Sequence, residues 1–188
     1  MRKIALASAS PRRRMLLESA GFDVELLAQN ADETWPGGTP EEAVTAIALR
    51  KLAAAPKGGD RAVLAADTVV LLGWDTPRII PLGKPRDIAD ARRILGMLSG
   101  VEHRVITGYC LRRGDQQRVG SVVSRVWFRA LSSDEIERYI EREEPFDKAG
   151  AYGIQGMGGA LIDHVEGSYT NIMGLPLRQV TEAWESLR

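Results

Sequence analysis

Residues 62–72 form a run of apolar and β-branched side chains broken in the middle by Asp67 and Thr68. A carboxylate inside an apolar strand is costly unless it is paired, hydrogen-bonded or bound to a metal ion. Carboxylates in that position also tend to mark functional sites. Asp67 therefore reads as a metal ligand or a general base, and the local pattern does not choose between them. The bland alternative is a bulge or a structural salt bridge.

A second grouping is Ser8-Ala9-Ser10-Pro11-Arg12-Arg13-Arg14, which follows the short apolar run at residues 4–7. A strand feeding a helix leaves free backbone N–H groups and partial positive charge at the helix start. That is a ready phosphate site. Two hydroxyls and three arginines lie at this point, and arginine suits bidentate contact with phosphate. A capped helix with a solvated basic first turn is the alternative. It leaves the arginines unexplained, because cations oppose the dipole there.

Two further segments carry cations in loops rich in Gly. Lys84 lies in Leu82-Gly83-Lys84-Pro85, soon after the Asp67 strand. Taken alone it reads as an exposed loop lysine. The second segment is Glu144-Pro145-Phe146-Asp147-Lys148-Ala149-Gly150-Ala151-Tyr152-Gly153-Ile154-Gln155-Gly156. Its glycines permit close backbone approach to a ligand. Asp147, Lys148 and Gln155 offer an acceptor, a cation and an amide. A surface loop is the alternative, although its Phe, Tyr and Ile argue for packing. His103, His164 and Cys110 have no metal-ligand spacing, and the four tryptophans are scattered, as packing residues are. Neither a Walker A sequence nor a Gly-x-Gly-x-x-Gly after a strand is present.

The elements that must hold these residues alternate. Strands are expected at 4–7, 22–27, 62–72, 105–111, 119–128 and 160–165. Ser10 and Pro11 open a first helix, ended near Gly21. Thr39-Pro40-Glu41-Glu42 is a capping box for a second, with Val44, Ile47, Ala48 and Leu52 at helical spacing and a break at 56–60. Asp87 caps a third helix, Ser132 opens a fourth, and Pro176 starts the last. Residues 29–38, 73–85 and 145–159 read as loops, and 112–116 as a hairpin turn. Strand–helix alternation combined with a hairpin predicts an α/β protein with a mixed sheet.

The 188 residues suffice for one substantial domain, or for one domain with two lobes and no separable linker. With 25 basic and 25 acidic residues the formal net charge is zero, which argues against a general nucleic-acid binder. The single cysteine fits a reducing compartment. No run approaches a membrane span, and residues 1–7 are too short a stretch for a signal peptide, so a cytoplasmic protein is expected.

Taken in order along the chain, several stretches resemble the Maf family, also described as septum-formation inhibitors. They are Leu6-Ala7-Ser8-Ala9-Ser10-Pro11-Arg12-Arg13, Ala66-Asp67-Thr68-Val69-Val70, Gly83-Lys84-Pro85, Leu98-Ser99-Gly100 through His103, the run from Asp147 to Gly156, and Gly174-Leu175-Pro176-Leu177. The resemblance implies a fold like that of inosine triphosphate pyrophosphatases: an elongated mixed sheet with flanking helices, two lobes around a cleft, and often a homodimer. It implies hydrolysis of a nucleoside triphosphate to monophosphate and pyrophosphate with a divalent cation, Mg²⁺ or Mn²⁺. It assigns Asp67 as proton acceptor, with Lys84 beside it in catalysis. Glu33, in Asp32-Glu33-Thr34, joins Asp67 as a metal ligand. Ser8, Arg12, Arg13, Lys51, Asp147 and Lys148 are expected at the substrate, with Thr68 and Gln155 at the base edge. Arg12, Thr68 and Gln155 match the branch that prefers dTTP and UTP. Ala9, Phe146 and a long 73–81 loop depart from the family pattern and bear on substrate breadth more than on chemistry. The competing expectation is a non-catalytic nucleotide-binding regulator of cell division.

Overall fold

A computed structural model of the chain describes residues 2–28, 30–56, 61–76, 78–143 and 145–187. Met1, Gln29, residues 57–60, Pro77, Glu144 and Arg188 lie outside the described residues, and with them those positions of the expected loops and of the helix break. The elements are β1 (Arg2–Leu6), α1 (Pro11–Ser19), β2 (Phe22–Leu26), α2 (Pro40–Ala54), β3 (Ala62–Leu72), β4 (Ile80–Leu82), α3 (Ile88–Leu98), β5 (Glu102–Arg113), β6 (Gln116–Phe128), α4 (Ser133–Glu143), β7 (Ile162–Glu166), α5 (Tyr169–Ile172) and α6 (Leu177–Glu185). Three short 3-10 turns occupy 145–161.

The strands form one mixed seven-stranded sheet in the order β2-β1-β3-β5-β6-β7, with β4 beside β3. This is the α/β architecture that the alternation implies. The chain makes two compact units. One comprises Met1–Thr68, Ile106–Val122 and Thr170–Arg188; the other comprises Val69–Val105 and Val123–Tyr169.

In the first unit β1 pairs in parallel with β2 and with β3, in the register Ile4↔Ala62, Ala5↔Val63 and Leu6↔Leu64. Small residues let α2 lie close to these strands: Ala48, Leu52 and Ala55 pack with Ala5, Ala7, Val63, Ala65 and Cys110. Gly108 of β5 carries this approach furthest. A Cβ there would lie 2.5 Å from the Val44 carbonyl carbon of α2. The predicted capping box of α2 is present: Glu42 N–H donates to Thr39 Oγ1, and Thr39 N–H donates to Glu42 Oε2.

In the second unit β4 pairs antiparallel with β3, and β7 with β6. The β4 strand lies where a loop is expected. It has only three residues, one of them Pro81, so no alternation marks it. The β5–β6 hairpin is longer than its apolar core suggests, because polar residues at 102–104, 112–113 and 116–118 extend the ladder. The helix α5 is one turn long and has no sequence signature.

The 145–161 segment is not a loose loop. Tyr139 of α4 accepts from Gly153 N–H at 3.1 Å. A Cβ at Gly158 would lie 1.7 Å from the Gly153 carbonyl oxygen, so only glycine fits there.

Candidate active site

Strand β3 explains why Asp67 and Thr68 are reachable. Residues 62–66 and 69–71 are buried, whereas Asp67 and Thr68 are partly open. Strand β1 ends at Leu6, and its last ladder contact is Ala7 N–H to the Leu64 carbonyl at 2.8 Å. The chain then turns through residues 8–10 into α1 and leaves the next part of β3 without that neighbour.

Asp67 is held by a lysine from α2. Lys51 Nζ donates to Asp67 Oδ1 at 2.7 Å and lies 3.0 Å from Glu33 Oε2. The Lys51 side chain is 6% exposed, that of Asp67 14%, and that of Glu33 50%. One buried ammonium thus joins two carboxylates from different segments. Glu33 is placed by its own loop: Asp32 Oδ1 accepts from Thr34 N–H at 2.8 Å, and Arg50 of α2 donates to the Thr34 carbonyl at 2.8 Å.

Beside this pair lies an arginine–hydroxyl cluster. Arg13 of α1 is buried. It donates to the Gly174 carbonyl at 2.8 Å, to Ser8 Oγ at 2.9 Å and to Thr68 Oγ1 at 3.0 Å. Thr68 Oγ1 lies 2.9 Å from Thr107 Oγ1, which donates to the Asn171 carbonyl at 3.2 Å. Burial pushes the Arg13 guanidinium below its ordinary pKa. The Asp67 carboxylate opposes that shift, and the neighbouring Arg12 adds to it. Three of the five Arg13 N–H donors are therefore committed to the protein. Arg12 is only partly buried. Ser8 Oγ also accepts from Ser10 N–H at 3.2 Å, so the expected anion turn is tied to Arg13 through Ser8. Ser10 occupies the cap position of α1 without a side-chain cap bond.

The first unit therefore brings together Ser8, Arg13, Glu33, Lys51, Asp67 and Thr68. The second unit holds Lys84, Asp147, Lys148 and Gln155. Lys84 is exposed, and its loop is pinned by Gly150 N–H donating to the Gly83 carbonyl at 3.0 Å. Lys148 donates to Asp147 Oδ1 at 2.8 Å and to the Glu143 carbonyl at 3.2 Å. Gln155 is exposed and makes no side-chain bond to the 3-10 turn that it opens. His103 is a packing residue, bonded to Tyr152 Oη at 2.8 Å and edge-on to Phe128.

Sequence reasoning missed Arg50, Thr107, Asn171 and the Gly174 carbonyl. Thr107 carried the same signal as Asp67, a polar residue in an apolar strand. The Gly174 role is a backbone one and leaves no side-chain mark.

Fold and site together define an α/β protein with a mixed sheet, whose first unit gathers two carboxylates, a buried lysine and an arginine–hydroxyl cluster. The chain belongs to the Maf-like protein family, whose model matches residues 3–187. It is 47% identical to the dTTP/UTP pyrophosphatase of Desulfitobacterium hafniense (strain Y51), over 96% of this chain and 83% of that protein. Similar proteins of the same name occur in Geotalea uraniireducens (45% identical, 96% of this chain and 92% of that protein) and Citrifermentans bemidjiense (46%, 96% and 93%). Among the described residues no helix is long and apolar enough to cross a membrane.

Proposed function

We propose that the protein hydrolyses dTTP and UTP to the monophosphate and pyrophosphate, with modified pyrimidine triphosphates as further candidates. One observation carries this reading. Asp67 sits at a partly open stretch in the middle of a buried strand, with its carboxylate oriented by Lys51 and next to Thr68. The names and the full-length similarity of the relatives support the same substrates.

The residues fit a divalent cation. Glu33 and Asp67 are hard oxygen donors that already converge on one cation, the Lys51 ammonium. Among the described residues no group of three or more His, Cys, Asp or Glu gathers, so those residues offer no full cage. Mg²⁺ and Mn²⁺ suit such a place, because Mg²⁺ commonly binds one or two carboxylates and completes its shell with water and substrate phosphates. Glu33 and Asp67 would hold the ion, which when bound supplies Lewis acidity toward the phosphate oxygens. Arg13, Lys51, Glu33 and Asp67 sum to zero formal charge, so a triphosphate gains from the added positive charge.

In this reading Asp67 accepts the proton of the water that attacks the α-phosphorus. Arg12 and Lys51 of the first unit hold phosphate oxygens and favour departure of pyrophosphate; Lys84 and Lys148 are assigned to the reaction by the family resemblance alone. Arg13 keeps Ser8 and Thr68 in place and has donors left for a phosphate. Thr68 and Gln155 hydrogen-bond the base edge. A cytoplasmic homodimer belongs to the same reading, carried by the family resemblance. Asp67→Asn keeps the side-chain shape and removes its charge. Turnover in that variant is expected to fall by on the order of 10² or more, with the fold retained. Near-normal turnover would contradict the assignment.

A further inference from the structure

We infer that Lys51 is the resident cation of the Glu33–Asp67 pair, and that it sets the order of loading: the divalent ion enters together with the nucleotide, not ahead of it. The inference rests on the reading of that pair as the metal-holding residues.

Lys51 Nζ is 2.7 Å from Asp67 Oδ1 and 3.0 Å from Glu33 Oε2. Glu33 and Asp67 would be the residues to hold a divalent ion, and the Lys51 ammonium already occupies an oxygen of each. The side chain of Lys51 is 6% exposed. It extends from α2 between Ala48 and Leu52, both packed into the core. Its ammonium is therefore largely shielded from water. A buried ammonium must keep an acceptor, because leaving it unpaired is expensive.

With Lys51 in place the pair carries one net negative charge, and an arriving divalent ion meets a cation at close range. A triphosphate changes both terms together. Its oxygens give the ammonium a new acceptor and give the ion further ligands. Lys51 would then pass from the carboxylates to the phosphate oxygens, leaving Glu33 and Asp67 to hold the ion. Until the nucleotide arrives, neither exchange is favourable.

The test is a titration of nucleotide-free protein with Mn²⁺, following the electron paramagnetic resonance signal of the free ion. Lys51→Gln keeps most of the side-chain length and removes the charge. It is expected to bind one Mn²⁺ about tenfold or more tightly than the wild type. Adding Glu33→Gln to that variant should abolish the gain. Equal or weaker Mn²⁺ binding by a folded Lys51→Gln variant would overturn the inference. A second measurement needs no variant: wild-type Mn²⁺ affinity with and without a dTTP analogue that has an imido group between its α- and β-phosphorus atoms. After subtraction of the Mn²⁺ that the analogue binds in a protein-free control, the analogue is expected to tighten Mn²⁺ binding to the protein. Mn²⁺ bound as tightly without it would also overturn the inference. Turnover enters neither measurement, so a failed pyrophosphatase assay and a failed loading order remain separable.

Discussion

Asp67 and Lys51 show how far single residues can be read. A carboxylate in an apolar strand demands a partner, and the sequence alone shows that demand at Asp67. The partner was not visible. Lys51 looks like an ordinary residue near a helix end, and only the packing of α2 on β3 makes its ammonium the one that reaches Asp67. Arg13 was legible as a special arginine, but its main partners are a carbonyl and two hydroxyls of its own chain. Gln155 gives a separate expectation at this scale. Its amide is exposed and uncommitted to the turn it opens. Gln155→Ala is expected to narrow the preference for dTTP and UTP over other triphosphates by about tenfold, read as ratios of kcat/KM. Unchanged ratios would remove Gln155 from base selection.

The helix α2 is the element on which the site depends. It carries Lys51 and also Arg50, which fixes the loop bearing Glu33. Its seat is the backbone of Gly108, where a Cβ would lie 2.5 Å from the Val44 carbonyl carbon and 2.6 Å from its oxygen. Gly108→Ala must push helix and strand apart. A loss of about 3 kcal/mol or more in urea unfolding is expected, with activity falling alongside. Gly96→Ala, in α3 with open space around it, is the control and should be neutral or slightly stabilising. A Gly108→Ala variant as stable as the control would contradict the packing. Helices with caps and β3 were legible, because capping chemistry and apolar runs are local. The β4 strand, the ends of the β5–β6 hairpin and the one-turn α5 were not. Their pairing is set by neighbours distant in the chain.

At the scale of the molecule, zero formal charge and the mixed α/β sheet followed from composition and alternation. Stability should report on a buried histidine of the second unit. Burial drives His103 down to about 4 from 6.5. Its folded pKa is depressed, so the unfolded chain binds the extra proton between those values. Stability is then fully present above pH 6.5 and is lost as pH falls toward 4, by on the order of 3 kcal/mol. His103→Phe, packed against Phe128 and Tyr152, should flatten that part of the profile in urea melts at stepped pH. An unchanged slope would show that other groups set it. The most direct test of the whole account is chemical. The purified protein is given Mg²⁺ or Mn²⁺ with dTTP, UTP, CTP, GTP and base-modified triphosphates, and pyrophosphate is measured apart from orthophosphate, with and without a chelator. Metal-dependent pyrophosphate release, fastest on dTTP and UTP, is the expected result. Folded protein that binds these nucleotides yet releases no pyrophosphate from any of them would contradict it and favour a nucleotide-binding regulator.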